Sequence, residues 1–194
     1  TQHAEGLIGF SGCLQGVIPQ NLLKGDYEGA KKACARLVEI FGRENFVIEL
    51  MDHGIEEQKR IIPDLLKLAE EFKLRVVATN DVHYVNATDN VAHDAMLCIQ
   101  TGARLADERR MRYPAQEFYL KSEAEMLRVF SEIPEAIKNT VAIAEMCDVQ
   151  LPVGKNNYPV YIFSEGTKPK SDKKLDNILD GYEALKNKLS IAAG

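Results

Sequence analysis

The sequence predicts an α/β fold: parallel strands alternating with helices, followed by a helical segment. Three observations predict it. Short apolar runs alternate with amphipathic stretches as far as Tyr84. One of these runs, "RVVATNDVHY", reads as a buried strand. Beyond Tyr84 the apolar residues recur only at helical spacing or scatter into loops.

The elements follow in order. "EGLIGFSGCLQG" starts as a short strand, Leu7 to Phe10, and breaks into a Gly-rich turn. "DYEGAKKACARLVEIFG" is a helix, because Ala30, Cys34, Leu37, Val38 and Phe41 share one face and Gly42 can stop it. "NFVIELMDHG" is the next strand, with Gly54 opening a loop. "EEQKRIIPDLLKLAEEFKL" is a second amphipathic helix. Its Pro63 is expected in the first turn or at a boundary, since its ring cannot follow a hydrogen-bonded helix interior. The order strand, helix, strand, helix, strand implies parallel pairing.

After Tyr84, "NVAHDAMLCIQTG" is expected to be helical and to stop at Gly102. "KSEAEMLRVF" opens on Ser122 with Glu125 three residues on, the signature of a capping box. "IPEAIKNTVAIAEMCDV" is a further helix with an apolar face, and Ser164 to Lys174 is a polar linker before a last helix, "LDNILDGYEALKNKL". The chain therefore divides into residues 1–84, a helical extension over 85–160, and a linker with terminal helix over 161–194.

Composition narrows the function. With 45% hydrophobic and 27% charged residues in 194, the chain can bury a core. A formal charge of −5 disfavours a broad phosphate-binding face. No apolar run approaches the roughly 20 residues of a membrane span. The four cysteines, at positions 13, 34, 98 and 147, form no CxxC pair. That spacing points to a reducing cytoplasm rather than a zinc ribbon or disulfide framework. Thr1 is no initiator methionine, and a piece of a longer chain is expected.

Candidate chemistry sits where strands end, the edge at which parallel α/β folds gather functional groups. Cys13 follows the first strand, Asp52 and His53 the second, Asp81 and His83 the third. Asp81 and His83, two apart on an extended segment, project to the same side and offer one ion a hard oxygen and an imidazole. The residues alone leave plainer readings open. A strand-end Asp forms turns, a lone Cys packs as a small hydrophobe, and His53 beside Gly54 reads as structural. His93 reads as a packing or capping residue. "GCLQG" is not a phosphate loop, and no Gly-x-Ser-x-Gly elbow is present.

Taken together, "EGLIGFSGCLQGVI", "ELMDHGIEEQ", "LRVVATNDVHYV", "AHDAMLCIQTGARLAD" and "FYLKSEAEM" resemble, in order, the polymerase and histidinol phosphatase (PHP) domain of bacterial replicative DNA polymerase III alpha subunits. The resemblance covers roughly residues 5 to 150. It implies a partial distorted (β/α)7 barrel, with residues 1–84 as the C-terminal half of the PHP domain and the helices after it leading towards a polymerase palm. It also implies a metal set to which Cys13, Asp81 and His83 belong, and a parent with 3′–5′ exonuclease activity. Zinc, manganese or iron suits the sulfur of Cys13 better than magnesium.

The family's early HxH motif is missing: the four histidines stand at 3, 53, 83 and 93. The chain on its own is therefore expected to lack a complete active site, and possession of no metal at all stays open. Implied partners are the rest of the polymerase chain, DNA and other replisome subunits, with no membrane and a cytoplasmic location. Two other readings compete: a non-catalytic scaffold within the polymerase, and a small-molecule phosphatase of the same superfamily.

Overall fold

The computed structural model describes residues 3–151, 153 and 154. The linker and terminal helix expected after residue 160 lie outside the described residues. The first compact unit is Thr1–Val149, and both sides of position 84 belong to it.

Three parallel strands form one sheet in the order β1 (Gly9–Phe10), β2 (Phe46–Leu50) and β3 (Arg75–Ala78). The central strand is apolar almost throughout because it is covered on both faces. Phe46, Ile48 and Leu50 point into the main core. Val47 faces the other way, with Val77 and Ile143. Its one acid, Glu49, is half-buried and accepts a 2.7 Å hydrogen bond from the Thr79 hydroxyl.

The first strand is shorter than Leu7 to Phe10. A side chain at Gly9 would stand only 2.7 Å from the Phe41 ring, so glycine is what lets the helix carrying Phe41 lie against the strand.

Helix α1 (Val17–Leu23), unmarked by the sequence reading, buries Ile18 and Leu22. It has no side-chain cap, and Pro19 stands in its first turn, where no intrahelical N–H bond is lost. Helix α2 (Tyr27–Phe41) begins at Asp26, whose carboxylate accepts from the Gly29 amide, and stops at Gly42 as expected. Helix α3 (Glu56–Phe72) corrects the expectation for Pro63, which lies inside the helix. Both Pro63 and Lys59, whose carbonyl loses its partner, are exposed, so water can satisfy the freed group.

After Ala78 the described residues contain no further strand, only an isolated bridge between Tyr84 and Tyr119. Helix α4 (Asn90–Thr101) ends at Gly102 with a left-handed φ of 67°. Helix α5 (Glu123–Val129) carries the full capping box between Ser122 and Glu125. Helix α6 (Pro134–Glu145) packs on β3 and covers its free edge. There the Asn139 side-chain amide donates to the Val76 carbonyl at 2.8 Å. That bond occupies an edge group otherwise open to pairing with another strand.

Candidate functional site

The site is built on the loop leaving β3. The Thr79 amide donates to the Leu50 carbonyl at 3.0 Å, holding the loop's first residue against β2. The Asn80 side chain donates to the Tyr119 carbonyl at 2.8 Å, and the His53 Nε2 lies 2.8 Å from the Asn80 carbonyl. The His83 amide then donates to the Phe118 carbonyl at 2.8 Å. Clamped on both sides, the chain turns through Asp81 with a φ of 40°, a left-handed conformation that Asp adopts more readily than most side chains.

The turn brings Asp81 and His83 together. The Asp81 Oδ1 lies 3.1 Å from the His83 Nε2, and both side chains are partly open to solvent. The Tyr113 hydroxyl lies 3.2 Å from each ring nitrogen of His83. Tyr113 and Phe118 pack edge-on against the His83 ring at 4.7 and 5.6 Å. Burial, with a smaller contribution from the Asp81 charge, raises the Tyr113 phenol above its ordinary pKa and keeps it protonated.

Cys13, exposed in the turn after β1, lines the same hollow of about 300 Å³ as Asp81, Gln58 and Tyr113. The three residues named by the sequence therefore gather at one end of the sheet. They do not lie on adjacent strands, because β2 stands between β1 and β3. Among the described residues no group of three or more His, Cys, Asp or Glu side chains is placed to hold a metal ion. The carboxylate–imidazole pair suits two neighbouring ligands, and the Cys13 thiol lies at the wall of the hollow without completing a three-donor group with them.

The remaining strand-end residues have structural roles. The Asp52 carboxylate accepts from the Gly54 amide at 2.8 Å, closing a turn. His53 is buried and stacks on Phe118 at 4.3 Å between ring centroids. His93 is a packing residue, as expected, its ring meeting those of His83, Tyr84 and Tyr113. Sequence reasoning missed Tyr113 altogether. It lies 30 residues from His83 in a stretch without periodicity, and the aromatic run "RYPAQEFY" was the only local signal.

Comparison with known proteins shows what this chain, with Cys13, Asp81 and His83 at one end of its parallel sheet, is similar to. Residues 1–53 match the PHP domain family. Over 160 residues, 82% of this chain, it is 42% identical to the DNA polymerase III subunit alpha of Treponema pallidum. The corresponding subunit of Deinococcus radiodurans is 45% identical over 157 residues, 79% of this chain. That of Thermus aquaticus is 43% identical over 156 residues, again 79%. The chain is thus a homologue of DNA polymerase III alpha subunits that carries PHP-domain sequence. It spans 14%, 12% and 13% of the length of those three relatives.

Proposed function

We propose that this chain is a segment of a replicative DNA-directed DNA polymerase, and that Cys13, Asp81 and His83 contribute to a metal centre of its PHP domain. The reaction served is 3′–5′ exonucleolytic hydrolysis of a phosphodiester. The observation that carries the reading is the 3.1 Å approach of the Asp81 carboxylate to the His83 imidazole at the rim of the hollow that Cys13 lines.

Each group has a definable part. Asp81 offers a hard carboxylate oxygen, His83 an imidazole nitrogen and Cys13 a thiolate, the last favouring zinc, manganese or iron over magnesium. Tyr113 and Phe118 hold the His83 ring in place, and the bonds from His53 and Tyr119 fix the loop beneath it. Divalent ions, when bound, supply Lewis acidity and a water acidic enough to attack at neutral pH.

The test is calorimetric titration of the chain with zinc and with manganese, beside Cys13→Ser, Asp81→Ala and His83→Ala. Binding that weakens about ten-fold or more in each variant supports a shared site. Binding unaltered in all three sinks it. The chain alone should release no nucleotide from a 3′-labelled single strand, because a hydrolytic centre needs several ligands per ion.

A second reading, a scaffold without catalysis, is favoured by the lack of a three-donor group among the described residues. Asp81→Ala in the polymerase that carries this segment separates the two. Lost 3′–5′ hydrolysis with intact polymerisation supports the nuclease, and unchanged hydrolysis supports the scaffold.

A further inference from the structure

Beside the hollow, a second cleft of about 300 Å³ opens between α4 and the loop that follows it. Its size is at the lower end of the roughly 300–1,000 Å³ typical of small-molecule pockets. Asp94 and Arg110 line it, joined by two hydrogen bonds of 2.5 and 2.6 Å. The Arg110 side chain is only 4% exposed, and its Nε is buried without a partner among the described residues. The paired guanidinium holds the Asp94 carboxyl below its usual range, so the acid stays ionised and neutralises Arg110.

Arg112 is then the charge left over. It lines the cleft, is exposed, and donates to the Asp107 carbonyl at 3.2 Å. It makes no ion pair among the described residues. A surplus cation in a cleft attracts an anion. The cleft's lining is also aromatic: the His93 ring meets those of Tyr84 at 5.3 Å and Tyr113 at 4.9 Å between centroids. Arg112 and Tyr113 also line the hollow that holds Cys13 and Asp81, so the two depressions adjoin.

We propose that this cleft binds a nucleoside 5′-monophosphate, with Arg112 on the phosphate and the His93 and Tyr113 rings against the base. Guanidinium is the side chain best suited to phosphate oxygens, and ring stacking accepts any base. The choice of a mononucleotide rests on the polymerase reading above. The experiment omits metal, so its failure leaves the metal titration unaffected.

The test is a titration of the isotopically labelled chain with dAMP, followed by amide chemical shifts. Saturable shifts confined to residues 84–94 and 110–116 are expected. Arg112→Ala, an exposed change that leaves the Asp94–Arg110 pair intact, should raise the Kd about ten-fold, the loss of one charge-assisted contact. Arg112→Lys should recover part of it. Absence of saturable shifts, an unaltered Kd in Arg112→Ala, or binding of deoxyadenosine or inorganic phosphate as tight as that of dAMP would overturn the proposal.

Discussion

The ring Nε2 of His53 stands 2.8 Å from the carbonyl oxygen of Asn80, tying the end of β2 to the loop that carries Asp81 and His83. A carbonyl only accepts, so Nε2 carries the proton. Nδ1 is then free to accept from the Gln58 amide at 3.0 Å. The Gln58 oxygen in turn accepts from the His53 backbone amide at 2.8 Å. His53→Ala removes these side-chain bonds and the stack on Phe118. It should destabilise the fold by about 2–4 kcal/mol, read from urea unfolding. It should also weaken any zinc binding at Asp81 and His83, although His53 is no ligand. Wild-type stability in this variant would refute the tie.

The capping box at α5 makes a pH prediction. Hydrogen bonds from Ser122 hold the Glu125 carboxyl at about 2, below its ordinary 4.5. Because the folded value is the lower one, the unfolded chain binds protons first on acidification. The stabilisation is complete above pH 4.5 and is lost as pH falls towards 2. Glu125→Gln should flatten this part of the stability–pH curve, measured as the urea midpoint between those limits. Ser122→Ala should cost about 1 kcal/mol at neutral pH.

Thiol reactivity separates the cysteines. Burial pushes the Cys34 thiol up to about 11, and Cys98 is also buried, whereas Cys13 and Cys147 are exposed. Since the thiolate is the nucleophile, iodoacetamide at neutral pH should label Cys13 and Cys147 and spare the other two until the chain is unfolded. Mass spectrometry reads the order. Zinc should slow labelling at Cys13 and leave Cys147 unchanged, and equal protection of both would argue against Cys13 as a donor.

Gly16 supports the turn that presents Cys13. Its amide donates to the Cys13 carbonyl at 2.8 Å, and an added Cβ would collide with the Ser11 carbonyl. Backbone on that side cannot swing away as a side chain can. Gly16→Ala should therefore destabilise by about 1–3 kcal/mol, the range for overpacking, in thermal or urea unfolding. It should also alter the labelling rate of Cys13 in the folded state.

The sequence by itself determined the elements whose signals are local. Helix α2 lies between its Asp26 cap and Gly42, α4 stops at Gly102, and α5 starts on Ser122. Caps and apolar spacing act within about four residues, so these were legible before any folding. The parallel strands were legible too, but β3 stops at Ala78, short of the predicted Tyr84, and Asp81 and His83 meet through a left-handed turn at Asp81 rather than along an extended segment. Tertiary structure alone decided that Pro63 lies inside α3, tolerated because its face is solvated, and that Asn139 of α6 covers the edge of β3. It alone set Tyr113 against His83, and Arg110 against Asp94, 16 residues away. The loop carrying Arg110 and Tyr113 has no periodic pattern to fix its path. Bonds from its far end do so, the Leu120 amide to the Tyr84 carbonyl and the Asn80 side chain to the Tyr119 carbonyl. Such bonds exist only once the sheet is assembled, because each joins segments too far apart in the chain for local geometry to dictate their meeting.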